Sequence, residues 1–98
     1  MWYVIHCIDA PGTEALRITT QSAHRAYIAD HLPRLLFGGP LQDESGSRNT
    51  GSLIVLRADS HATAAAFIDA EPYCRAGVFG TVTINRFHCV VGAPSPTT

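Results

Sequence analysis

His24 lies in the segment QSAHRAYIADH, whose spacing predicts the second half of an amphipathic helix. An imidazole takes up and returns a proton near neutral pH, so a histidine at the edge of a buried face is a ready general base or acid. At about 100° per residue, Arg17, His24 and His31, each seven positions apart, form one seam beside a stripe of Leu16, Ala23 and Tyr27. Groups on such a seam are partly desolvated yet reachable, the setting that shifts proton affinities usefully. Arg17 would hold a carboxylate or phenolate of a small molecule by paired hydrogen bonds. Its ordinary alternative is a rim arginine whose stem covers apolar surface while its head stays in water. His24 has such an alternative too, as a helix-edge imidazole satisfied by a neighbouring group. His31 fits a helix C-terminal residue that complements the dipole.

The remaining reactive side chains carry weaker signals. Ser52 opens an apolar run and offers a pocket its hydroxyl, without the sharp strand-to-helix turn of a nucleophilic serine. Gly38, Gly39 and Pro40 are expected to end a strand, and a glycine pair also lets backbone amides approach a ligand. Tyr73 in EPYCRAG would line the same cavity or pack under the last connection. His6 and His88 fall in strands and read as core or interface residues, His61 as surface. No two histidines have the close same-face spacing of a zinc or iron site, and no carboxylates cluster with them. The chain therefore calls for no metal and no other cofactor. Cys7, Cys74 and Cys89 lack CxxC or CxxH spacing and read as small core hydrophobes in a reducing, cytoplasmic compartment.

These residues need elements to position them. Trp2 to Ile8 is rich in aromatic and β-branched residues and stops at the turn signal Asp9-Ala-Pro-Gly12, which predicts a first strand. From Thr13, a candidate N-cap, to about Leu32 the period becomes helical, with Pro33 bounding the end. RLLFGGP and GSLIVLRA, joined by the polar LQDESGSRNT, predict a hairpin of strands two and three. Asp59 or Ser60 caps a second helix, HATAAAFIDAE, whose Ala62, Ala65 and Ala66 offer a small face for packing on a sheet. PYCRAGVFG reads as a turn or one short helical turn, and TVTINRFHCVV as a long last strand buried on both faces.

The order β-α-β-β-α-β is the ferredoxin-like α+β arrangement, an antiparallel sheet with both helices on one face. Strands apolar on both faces need a second cover, and another copy of the chain supplies it economically, giving a homodimeric α+β barrel. Residues 1–92 form a single domain, and residues 93–98 are expected to be a flexible tail. Seven basic residues scattered against eight acidic ones leave no footprint for nucleic acid. The opening MWYVIHCIDAPG has neither the basic region nor the apolar length of a signal or membrane span.

Five pieces in this order, YVIHCIDAPG, LR followed by AHRAYI, FGGPLQD, GSLIVLRADS and EPYCRAGVF, resemble the YciI-like family over about residues 2 to 91. The resemblance implies a dimeric α+β barrel, a proposed His and Asp active site, and one related activity, dehydrochlorination of a chlorinated hydroxyquinol-type ring. It assigns His24 as the helix histidine and Asp43 in GPLQD as its carboxylate. A carboxylate on one imidazole nitrogen would fix the tautomer and leave the other nitrogen as an oriented base. Glu71 stands where many relatives carry Asp before Pro-Tyr, at a position given no part in the chemistry. The expected function is cofactor-free acid–base chemistry, lyase- or isomerase-like, on a small aromatic or quinone-like molecule, with Arg17, Ser52, Gly39, Pro40 and Tyr73 around it. The rival is a non-catalytic dimeric module that binds a small ligand and uses His24 only for hydrogen bonding.

Overall fold

The computed structural model describes residues 1–92, so the expected tail at 93–98 lies outside the described residues. The elements are β1 (Trp2–Asp9), α1 (Glu14–Asp30), a 3-10 turn (Leu32–Arg34), β2 (Leu35–Gln42), β3 (Asn49–Arg57), α2 (His61–Asp69), α3 (Pro72–Ala76) and β4 (Phe79–Phe87). They form one four-stranded antiparallel sheet in the order β2-β3-β1-β4. This is the expected ferredoxin-like α+β fold, with α3 as an extra turn before the last strand.

The core lies between the sheet and α2. Tyr3, Ile5 and Cys7 of β1 and Ile54 and Leu56 of β3 meet Ala64, Phe67 and Ile68 of α2. Their alternation along each strand puts Val4, His6 and Ile8 on the opposite face, level with Val55, Leu53 and Gly51 of β3. Ser60 caps α2 by accepting the Thr63 N–H at 3.1 Å. The helix buries Ala64, Phe67 and Ile68, so the alanines at 62 and 66 face solvent rather than the sheet. Thr13 precedes α1 without capping it; its hydroxyl instead donates to the Ala10 carbonyl at 2.7 Å.

Two strand boundaries differ from expectation. Gly38, Gly39 and Pro40 do not end β2 but lie inside it, and because β2 is an edge strand, Pro40 removes no ladder bond that a second neighbour would need. β4 stops at Phe87, so His88 and Val90 are exposed beyond the sheet, and Val91 is 85% exposed. Pairing explains the limit: Phe87 lies opposite Trp2, where β1 begins, and no partner strand continues past it. Among the described residues no helix is long and apolar enough to cross a membrane.

Candidate active site

The sheet-facing side of α1 is polar. Arg17 is its one buried residue, while Leu16 and Ala23 of the expected apolar stripe are exposed and Tyr27 is half-buried. The seam of Arg17, His24 and His31 is thus part of the inner face itself. His31 caps the helix end, with Nδ1 donating to the Tyr27 carbonyl at 2.7 Å.

Arg17 reaches under the helix to the sheet. Nε donates to Asp9 Oδ2 at 2.8 Å, and Nη2 donates to the Gly51 carbonyl at 2.6 Å and to Ser52 Oγ at 2.8 Å. Gly51 has to be glycine there, because a Cβ would stand 2.2 Å from the Cys7 carbonyl oxygen. Arg17 and Asp9 side chains are 8% and 10% exposed, so this is a buried ion pair that ties α1 to β1 and β3.

Two helical turns further on, His24 Nδ1 lies 2.5 Å from Glu71 Oε1. Glu71 is fully buried, and its second oxygen, Oε2, accepts the Tyr73 N–H at 3.1 Å, capping α3. Both carboxylate oxygens are therefore engaged and the group has no freedom to turn away. The Tyr73 ring stacks on the imidazole at 4.1 Å between centroids and 18° between planes. Arg17 Cζ lies 4.5 Å from the centroid of the same ring. Burial pushes the Tyr73 phenol above its ordinary value, with Arg17 opposing, so the hydroxyl stays protonated and can donate. With Nδ1 held by a carboxylate, His24 carries its proton on that side and its Nε2 has no protein partner among the described residues.

His24 belongs to the wall of a cavity of about 380 Å³ between α1, β2, β3 and α3. Of the residues singled out in the sequence, His24, Arg17, Ser52, Gly39, Pro40 and Tyr73 all line it. Asp43 does not. It sits in the β2–β3 turn, where Oδ1 accepts from the Ser45 hydroxyl at 3.0 Å and from the Ser47 and Arg48 N–H groups at 3.1 and 3.4 Å. The expected His24–Asp43 pair is not formed: the turn holds Asp43, and Glu71 occupies Nδ1. Glu71 is the functional candidate that sequence reasoning passed over, although an acid directly before Pro-Tyr is the signal of a buried N-cap. Gln21, Arg25 and Asn49, also unremarked, line the cavity as well. Cys7, as expected, is core; burial pushes its thiol up to about 12, and burial likewise raises Cys74, so neither is an activated nucleophile.

Known proteins share this frame. Protein YciI of Escherichia coli O6:H1 and of Shigella flexneri are each 32% identical to the chain over 94 residues, spanning 89% of this chain and 96% of the relative. The solved structure of 5-chloro-2-hydroxyhydroquinone dehydrochlorinase from Burkholderia phenoliruptrix, in complex with 2,5-dihydroxybenzoquinone, superposes with a TM-score of 0.83 at 27% identity. That match covers 90% of this chain and 94% of the dehydrochlorinase. Residues 1–88 match the YCII-related domain, nearly all of the described fold and every residue of the cavity, and the chain belongs to that family.

Proposed function

We propose that the protein is an acid–base enzyme acting on a small hydroxylated aromatic or quinone-like molecule, with His24 as the proton-transferring group and Glu71 as its orienting partner. One observation carries the proposal: an imidazole on the wall of a cavity, fixed through Nδ1 to a fully buried carboxylate and with no protein partner for its other nitrogen among the described residues. In such a pair the carboxylate sets the tautomer and stabilises the imidazolium that forms. Nε2 takes a proton from a C–H or O–H group of the ring system. The electron pair of that bond moves into the ring and either expels a group with its bonding pair, a lyase step, or receives the proton back at another atom, an isomerase step. Neither step calls for a metal, a cofactor or a covalent nucleophile. The likeness in fold to a dehydrochlorinase supports chemistry of the first kind.

Tyr73 stacks the imidazole in place, and Arg17 anchors the wall behind it through Nε and Nη2, which donate to Asp9, Gly51 and Ser52. Ser52, Gly39 and Pro40 belong to the wall the substrate meets. A homodimer that covers the open sheet face and a cytoplasmic setting suited to core thiols complete the proposal.

Substituted hydroquinones, their quinones and small lactones, followed for halide release, double-bond migration and exchange of ring C–H in deuterated solvent, test the assignment. His24→Gln is expected to lower the rate of any substrate found by about 10²–10⁴-fold without loss of fold. Compounds that bind at His24 yet never turn over in the wild type would leave a binding module instead.

A further inference from the structure

The cavity has two unlike ends, arranged along α1. Its wall follows the helix through Gln21, His24, Arg25 and Ile28 to Leu32 just beyond the helix end. At about 1.5 Å of rise per residue, Gln21 and Ile28 stand roughly 10 Å apart with His24 between them.

Toward Gln21 the groups are polar, and Arg25, one position past His24, joins them as Gln21's neighbour on the helix surface; their hydrogen-bonding capacity is unspent. Gln21 makes no side-chain hydrogen bond among the described residues, and Arg25, four positions on, makes neither a hydrogen bond nor an ion pair. Across the cavity Asn49 is engaged only through Oδ1, which accepts from Gln42 at 3.2 Å, leaving its amide protons available. The neighbouring charges are neutralised: Arg17 by Asp9, and Glu71 engaged by His24 and the Tyr73 N–H. Arg25 is thus the one guanidinium on this wall without a counter-charge among the described residues, and Gln21, four positions earlier on α1, is its neighbour on the helix surface. Toward the other end the wall is Ile28, Leu32 and Leu35, with Ile54 beneath.

The volume agrees with a molecule that uses both ends. A cavity of about 150 Å³ is enough for benzene, against about 380 Å³ here. Building on the assignment of this cavity as the site of His24 chemistry, we infer that its substrate is an amphiphilic organic anion: a planar unit at His24, an anionic oxygen group such as a carboxylate held by Arg25, Gln21 and Asn49, and an apolar substituent extending over Ile28, Leu32 and Leu35. A compact polar ring would leave the apolar end filled with water. A neutral molecule would forgo the charge-assisted pair with Arg25.

Calorimetric titration of the full chain with 4-butylbenzoate, 4-butylbenzamide, benzoate and 2,5-dihydroxybenzoquinone tests this, with amide chemical shifts locating each probe. 4-Butylbenzoate is expected to bind at least about tenfold tighter than its neutral amide, the effect of one charge-assisted pair. Arg25→Gln, at an exposed position, should abolish that preference and leave the amide unaffected. Each butyl methylene that is buried is worth about a fourfold gain over benzoate, and Leu32→Ser, at a residue 60% exposed and so tolerant of change, should reduce it. Equal affinity for the benzoate and the benzamide, or a preference that survives Arg25→Gln, overturns the anionic end; no gain from the butyl chain overturns the apolar end. If 2,5-dihydroxybenzoquinone binds beside His24 and the benzoates do not, the substrate class falls while the site stands. If no ring compound perturbs the His24 region, both fall.

Discussion

Glu71 and Asp43 show how one side-chain type takes opposite roles according to what surrounds it. Glu71 is fully buried with both oxygens engaged, one by an imidazole and one by a backbone N–H. Asp43 is in a surface turn, and the Ser45 hydroxyl foremost, with the Arg48 and Ser47 N–H groups, holds its carboxyl below the ordinary carboxylate value. A carboxylate whose folded value is depressed stabilises the fold above its unfolded value, about 3.9, and that contribution is lost as pH falls through the lower folded value. Asp43→Ala is therefore expected to lower the urea midpoint slightly at neutral pH, with the difference from wild type closing below about pH 4, and to leave activity intact. Glu71→Gln keeps the shape but removes the charge that stabilises imidazolium, and should cost about 10²-fold or more in turnover. The contrast is measured on one substrate with the two variants side by side; an Asp43→Ala enzyme as impaired as Glu71→Gln would return the dyad to Asp43.

At the scale of elements, the strand order and the hairpin were legible in the sequence because β1, β2 and β3 alternate or run apolar between turn residues. The inner face of α1 was not. Hydrophobic periodicity finds the side of a helix that packs on a core, whereas α1 turns Arg17, Gln21 and His24 toward a cavity, so the stripe of Leu16 and Ala23 pointed outward. Only the spacing of Arg17 and His24 carried the signal, because their partners lie on other elements: Asp9 on β1, across the turn before α1, and Glu71 at the α3 cap, far along the chain. Asp43 was misread for a related reason: an aspartate in a Gly/Ser turn has the same sequence appearance whether it serves the turn or a site. The Arg17–Asp9 pair then makes a sharp prediction about how α1 is held. Asp9 Oδ1 is buried without a partner among the described residues, so Asp9 depends on Arg17. Arg17→Met leaves an uncompensated buried carboxylate and is expected to cost about 3–5 kcal/mol. Arg17→Met combined with Asp9→Asn removes both charges and should recover part of that loss. Chemical denaturation of the two variants decides it, and a double variant less stable than Arg17→Met alone would mean that Asp9 has other support.

For the whole molecule the unresolved balance is the sheet face away from the helices. Val4, His6 and Ile8 of β1 and Leu53 and Val55 of β3 share it, with Phe37 opposite Val55 on β2. Ile8 is 43% exposed and Phe37 38%. Val55 is already buried and Val4, His6 and Leu53 are half-buried, but the apolar area still open on this face forgoes about 25 cal/mol for each Å² that could be covered. A second copy meeting this face with its own satisfies the same pattern on both sides, as a two-fold interface requires. His6, in the middle strand, would then sit inside the interface rather than in the core of either copy. The expected state at micromolar concentration is a dimer of twice 10.5 kDa, measured by light scattering after size exclusion. Ile8→Lys changes a residue already partly in water, so its effect on the single chain should stay within about 0.5 kcal/mol, while two lysines brought into an apolar interface should shift the protein to monomer with an unchanged circular dichroism spectrum. A wild type that is monomeric under these conditions excludes the two-sheet assembly. A dimer indifferent to Ile8→Lys would mean that the copies meet through another surface, and the cavity, which lies on the helix side of the sheet, would then have to be tested for a wall contributed by the partner.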